Sequence, residues 1–333
     1  MTIDVSTDAG ADLARRLVEG AQVVVEDLDP GKMAERGLGY PQLSVSRPDL
    51  VYVSITSWGQ SGPFVERGLR ASELTLQGMG GPVNATGDAG REPLKLGGNV
   101  AHMQAGAVAA YAAVLALYRV EGGGVGDHID VSIYETQAGT RDRRTTSLTA
   151  YAYQGSVSKR TPSSGIAIAA GVKPTADGYI NLLAFGAGRM DQFVDMIGRS
   201  DLVGDPRLSQ PPTTLDPAFV QELQENYFVW LMTMGKREAV AEAQRRGLLA
   251  GVVNTPEDLL SDPHYRERGV WEEIEHPVAG RFEYPGRPFI MSDTPRALAR
   301  PAPLLGAHTT EVLTRLLGQS ETQVDALRAA GAI

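Results

Sequence analysis

The chain has 333 residues, 42% hydrophobic and 21% charged, which is material for one large or two medium globular domains with a sizeable core. A net charge of -9, spread without long acidic runs, excludes nucleic acid as the main partner, because phosphate backbones are held by clustered Lys and Arg; the charge serves solubility. The absence of cysteine excludes disulfides, thiolate nucleophiles and Cys-zinc sites and fits a reducing, cytoplasmic compartment.

In chain order, Ala11 to Glu19 reads as a helix with Leu13 and Leu17 on one face, and Asp4, Asp8 and Asp12 leave no readable signal peptide. "QVVVE", Gln22 to Glu26, reads as a buried strand, followed after the turn "DPG" by a short helical segment. "LVYVSIT", Leu50 to Thr56, alternates Val51, Val53 and Ile55 against Tyr52, Ser54 and Thr56, so strand, helix and strand suggest parallel α/β architecture. Glycine-rich turns lead to a helix capped by Asn99. Val100, Met103, Ala107, Tyr111, Val114 and Tyr118 form its expected core stripe, with His102, Gly106, Ala109, Ala113 and Ala116 on another face. "HIDVSIYE", His128 to Glu135, is the next strand.

From about Thr145, through "SVSKRTPSSG", the texture turns to Ser, Thr, Gly and Pro and reads as a boundary or linker. "DGYINLLAF" restores a strand, followed by helical stretches around Met190 to Ile197 and Phe219 to Gln244. A Pro-rich, extended tail from "HPVAGRFEYPGRPF" to "RPAPLLG" precedes helices near Thr309 to Leu317 and Glu321 to Ala329. No window reads as the roughly 20 apolar residues of a membrane helix.

Motifs of common chemistries are absent. "GLGYPQ", "GMGGPV" and "GAGRMD" each fail the dinucleotide-binding pattern at its last glycine. His102, His128, His264, His276 and His308 lie far apart without the spacing of a metal pair, so no metal is expected. His102 falls at the third position of its helix, beside unsatisfied N–H groups and the positive dipole end, a place that favours an anion. A histidine there serves as a base or hydrogen-bond partner, or is simply structural.

The segments "ADLARRLVEGAQVVVEDLDPGKMAERGLGY", "RPDLVYVSITSWGQSGPF", "GDHIDVSIYE", "PTADGYINL", "VNTPEDLLSDPHYRERGVWEEIEHPVAGRFEYPGRPFIMSDTP" and "RPAPLLGAHTTEVLTRLLG" occur in this order. Together they resemble the class III CoA-transferases, which include formyl-CoA and carnitine CoA-transferases and the 2-methylacyl-CoA racemases. The resemblance implies an α/β fold: a Rossmann-like large domain from residues 1–150 and 281–333, a smaller α+β domain over 151–280, and an interlocked dimer. It also implies that the family's first strand and part of its CoA site would lie ahead of this chain's start. The family binds no permanent cofactor, and a coenzyme A thioester is its substrate. The family nucleophile is an aspartate at a helix start, which forms an anhydride with the acyl group and then a thioester with CoA. "VAHMQAG" puts His102 where that aspartate belongs. By the same resemblance Leu28, Lys32, Arg36 and Arg70 lie along the CoA, but "EDLDPG" carries Asp27 and Asp29 where the family has Asn and Arg. After "GPF" the family carries Tyr-Asp or Tyr-Glu and the racemases His-Asp; this chain has Ser72 and Glu73, which keeps the acid.

Three readings follow. Glu73 and His102 form an acid/base pair for α-proton chemistry on a thioester; or the chain transfers CoA with a different nucleophile, Glu73 or His102; or it is a catalytically degenerate scaffold for a partner subunit. The expected partners are an acyl-CoA, a carboxylic acid and a second chain, either a copy or a related subunit.

Overall fold

The computed structural model describes residues 1–139, 143–157, 160, 168–184, 188–210, 214–294 and 299–333. The chain divides into two units, Met1–Pro162 with Pro303–Ile333, and Ser163–Ala302. These boundaries compare with the 150 and 280 that the resemblance implies. The expected linker "SVSKRTPSSG" lies largely outside the described residues.

In the first unit, α1 (Asp8–Val18), capped by Thr7, leads into β1 (Val23–Glu26). The short helices α2 (Lys32–Glu35) and α3 (Tyr40–Leu43) precede β2 (Val51–Thr56). Then come α4 (Pro63–Glu66), α5 (Glu73–Met79), α6 (Val100–Glu121), β3 (Asp127–Ser132), α7 (Ile133–Gly139) and α8 (Arg143–Gln154). The sheet is parallel in the order β1-β2-β3, with Val23 opposite Val51 and Val53 opposite Ile129. β2 is buried on both faces, as the central strand of a parallel sheet must be. Val51 and Val53 join the alanines of α6, while Leu50 and Tyr52 pack with Ala11, Leu38 and Leu43 on the other side. Gly126 is required where the chain enters β3, since a Cβ there would stand 2.1 Å from the Leu50 carbonyl oxygen.

Four expectations change here. The strand read as His128 to Glu135 ends at Ser132, whose hydroxyl accepts the Glu135 N–H at 3.2 Å, so "IYE" turns helical as the start of α7. The Ser/Thr-rich texture from Thr145 forms helix α8. The core stripe of α6 is the alanine face: Ala101, Ala105, Ala109 and Ala113 are buried, while Met103, Tyr111, Val114 and Tyr118 are 60–78% exposed. Small side chains bring the helix backbone close to the sheet, and larger ones would hold it off. Finally, α6 is long and apolar enough by composition to cross a membrane, contrary to the sequence expectation. Its alanine face packs against β2 and β3 as a core helix does.

In the second unit, β4 (Ala170–Thr175), β5 (Gly178–Leu183) and β6 (Leu249–Val252) form an antiparallel sheet in sequence order. Helices α9 (Arg189–Met196), α10 (Pro217–Met232) and α11 (Lys236–Arg245) cover it through Phe193, Leu223, Tyr227, Leu231 and Ala239. The short helices α12 (Pro256–Ser261) and α13 (Pro263–Glu267) follow, then a hairpin of β7 (Trp271–His276) and β8 (Gly280–Pro285) where the tail read as merely extended. The last helices, α14 (Thr309–Leu317) and α15 (Glu321–Ala329), belong to the first unit, where Leu313 and Val324 pack on Leu13. The whole is a mixed α/β structure.

Candidate active site

α5 begins with a capping box: Ser72 accepts the Thr75 N–H, and Thr75 returns a bond from the Ser72 N–H. This sets Glu73 in the first turn, with its side chain directed at the N-terminus of α6. One carboxylate oxygen, Oε1, accepts the Ala101 N–H at 2.8 Å and the Gln77 amide at 2.6 Å. The other, Oε2, lies 3.4 Å from the His102 backbone nitrogen and 2.5 Å from His102 Nδ1. Burial of Glu73 opposes its charge, but donation from Ala101, Gln77 and His102 outweighs it and lowers the carboxyl from 4.5 to about 2. The helix dipole adds to the preference for an anion at this point.

An ionised carboxylate only accepts, so Nδ1 of His102 is the donor of the short bond, and a neutral ring then carries its lone pair on Nε2. The Glu73 side chain is 12% exposed and the His102 side chain 48%. The carboxylate is therefore enclosed and engaged at both oxygens, and the imidazole is the member that meets solvent. The pair can hold an imidazole in one orientation, stabilise positive charge on it, and offer Nε2 as base or nucleophile.

Gln77, missed in the sequence, is fully buried and links this pair to the approach to α6. Its amide oxygen accepts the Leu96 N–H at 2.8 Å, and its nitrogen reaches the Leu96 carbonyl at 3.4 Å as well as Glu73. The i, i+4 spacing of Glu73 and Gln77 on an apolar helix was the available signal. At the other end of α5, a Cβ on Gly80 would come within 2.3 Å of the Gln137 Cβ, so glycine allows α5 to lie tightly on α7.

A cleft of about 630 Å³ opens at the C-terminal ends of β1 and β2, lined by Asp29, Thr56, Ser57, Trp58 and Arg70 among others. The ends of parallel strands are where open α/β sheets bind ligands. Arg70 faces this cleft, and so does Asp29, whose charge opposes a phosphate there. Leu28 and the cations of Lys32 and Arg36 are not among its lining residues; Lys32 pairs with Glu35 at 2.9 Å. The sequence-predicted residues thus divide: Glu73 and His102 are in contact, Arg70 lines the cleft three residues before Glu73, and Leu28, Lys32 and Arg36 are not among the residues that line it.

The family model described as CoA-transferase family III matches residues 1–309, and the chain belongs to that family. It is 29% identical over 314 residues to a succinate–glutarate CoA-transferase of Agrobacterium fabrum, covering 94% of this chain and 77% of that one. It is 28% identical to a succinyl-CoA–D-citramalate CoA-transferase of Chloroflexus aurantiacus, covering 99% and 81%. A solved CAIB/BAIF family protein from Brucella suis shares the fold with a TM-score of 0.80 and 28% identity, over 95% of this chain and 81% of that one.

Proposed function

We propose that the protein transfers CoA between an acyl-CoA and a carboxylic acid, with His102 as the nucleophile and Glu73 as the group that orients and charges it. The observation that carries this is the short Glu73–His102 bond at the start of α6, in a chain of family III whose relatives are named as CoA-transferases. Nε2 of His102 attacks the thioester carbonyl, the C–S bond breaks, and CoA leaves as the thiolate. The ring, acylated on Nε2 and still protonated on Nδ1, is cationic and rests against the Glu73 carboxylate. The acceptor carboxylate attacks the acyl carbon, freeing the imidazole and giving a mixed anhydride. Attack of the CoA thiolate on the acceptor carbonyl then yields the new thioester and the donor acid.

In this reading His102 replaces the family's carboxylate nucleophile. The large unit is the Rossmann-like domain, and CoA lies along the cleft with Arg70, its phosphates reaching toward Lys32 and Arg36 past Leu28. The exposed apolar side of α6 pairs with a second chain, and the CoA substrates belong to the cytoplasm. The same free Nε2 also favours a second reading, in which His102 exchanges the α-proton of an acyl-CoA.

Intact-mass analysis after an acid quench distinguishes these routes. Transfer through histidine adds the acyl mass to a peptide containing His102, and His102→Ala lowers turnover roughly 10²–10⁴-fold. A CoA-sized, hydroxylamine-labile adduct on Glu73 makes the carboxylate the nucleophile instead. Deuterium incorporation without CoA exchange supports the proton-transfer reading, and an inert chain that gains activity only beside a related subunit supports the scaffold.

A further inference from the structure

His102 and Gly106 stand one turn apart on α6. At about 100° per residue they lie between the alanine face that meets the sheet and the apolar side that Met103, Val114 and Tyr118 present to solvent. A helical side chain leans toward the N-terminus and covers the turn before its own, so position 106 is the one from which a side chain would cover His102 along the helix. Glycine leaves that side open. Among the described residues nothing would lie within 4 Å of a Cβ on Gly106, and the His102 side chain is 48% exposed.

The ring that solvent reaches is held in one orientation. Nδ1 is committed to Glu73 at 2.5 Å, and Glu73 is fixed in turn by the Ala101 N–H at 2.8 Å and the Gln77 amide at 2.6 Å. Nε2 is therefore the nitrogen left for chemistry, with its lone pair free. An oriented imidazole backed by a carboxylate is suited to take a proton from water while the water oxygen forms a bond, and the carboxylate steadies the imidazolium that results. A site devoted to transfer between two substrates gains by shutting water out. Here the base is the open member of the pair, and the carboxylate behind it is the enclosed one, at 12% exposure.

We propose that the Glu73–His102 pair also hydrolyses acyl-CoA thioesters, with His102 as general base and water as the attacking group. Nε2 takes a proton from water as the oxygen bonds to the thioester carbonyl carbon. The tetrahedral intermediate then collapses, the C–S bond breaks, and the proton on Nε2 passes to the departing sulfur. The products are the carboxylic acid and CoA as the free thiol, with water as the one co-reactant. This activity shares its residues with CoA transfer but does not depend on it, because no acyl-enzyme forms.

Thiol release from butanoyl-CoA by the whole chain, with no carboxylic acid present as acceptor, measures the reaction. The expected result is steady release, one oxygen-18 atom in the butanoate when the water is enriched in that isotope, a slower rate in D2O, and no butanoyl mass on the protein after an acid quench. His102→Ala lowers kcat roughly 10²-fold or more. Glu73→Gln, whose amide can donate to Nδ1 and so place the ring proton on Nε2, lowers kcat roughly tenfold or more with little change in KM. Gly106→Leu, a better helix former, covers the ring and lowers kcat/KM roughly tenfold without loss of stability. No thiol release without an acceptor acid, or release undiminished in both His102→Ala and Gly106→Leu, overturns the assignment even if CoA transfer proceeds. A butanoyl adduct on His102 that forms and decays at the rate of thiol release also overturns it, since His102 is then the nucleophile and water only resolves the adduct. Hydrolysis with the expected pattern and no transfer leaves the assignment standing and removes the transfer reading.

Discussion

Glu73 closes the first turn of α6 from 28 residues away, a role that the sequence assigned to Asn99. Asn99 does stand at the N-cap, but its side chain makes no capping bond, and the N–H groups of Ala101 and His102 face the carboxylate. Sequence patterns register caps a few residues apart, whereas this one depends on how α5 meets α6, so the pairing of Glu73 with His102 was among the expectations and the cap through the Ala101 N–H was not. Gln77 has the most to reveal about it. Because the folded carboxyl is held near 2, well below its ordinary value, the Glu73 charge stabilises the fold above the usual carboxylate range and that contribution is lost as pH falls toward 2. Gln77→Leu removes one donor to Glu73 and strands the Leu96 N–H; the expected cost is about 1–3 kcal/mol in urea denaturation, with a lower kcat and little change in KM. Gln77→Glu should behave differently. Two adjoining carboxyl groups share a proton into a higher pH range, and while it is shared the new side chain can still donate to Glu73. Activity of that variant therefore falls as pH rises through the shared titration, a limb absent from both the wild-type and Gln77→Leu pH profiles.

At the scale of elements, β2 was legible because its alternation is strict and both of its faces are apolar enough to bury. α14 and α15 were legible from local signals too: Gly318 ends one, and the Ser320–Gln323 capping box begins the next. α6 was not legible in its orientation. Its sequence is apolar on nearly every side, so periodicity offers two stripes of similar hydrophobicity and does not say which one meets the sheet. Packing decides in favour of alanine, because the helix lies against valines of β2 and β3 at a spacing set by methyl groups. Ala105 is fully buried in this contact. Ala105→Leu should overpack it and lower stability by about 1–3 kcal/mol, whereas Tyr111→Ser, on a side chain 60% exposed, should leave the unfolding free energy of the isolated chain within about 0.5 kcal/mol. Equal losses for the two variants would mean that the alanine face is not the one against the sheet.

For the whole molecule, chain order matters more than local pattern. The first unit is completed only when the chain returns at Pro303, and the return is secured at its far ends, where the Asp4 N–H donates to the Ala332 carbonyl at 2.8 Å and the Thr2 N–H to the Thr309 hydroxyl at 2.9 Å. Such long-range closure leaves no periodic trace in a sequence; the resemblance to a family carried that part of the expectation. The same holds for assembly. Met103, Tyr111, Val114, Leu115 and Tyr118 leave a continuous apolar side of α6 in solvent, more than a solitary surface helix needs for solubility. In the proposed pairing of α6 with a second chain, a second copy related by a twofold axis would place the same surface on both sides of the contact, each copy covering the other's α6. Light scattering after size exclusion should return twice the 35.5 kDa of one chain, and Tyr111→Glu combined with Tyr118→Glu should return a single chain with its secondary structure intact. A wild-type chain that stays single at micromolar concentration, and doubles in mass only when co-expressed with a related CoA-transferase subunit, would replace the homodimer with a two-gene assembly. In that assembly the partner covers α6, and the Glu73–His102 pair can be assayed within the complex by His102→Ala alone.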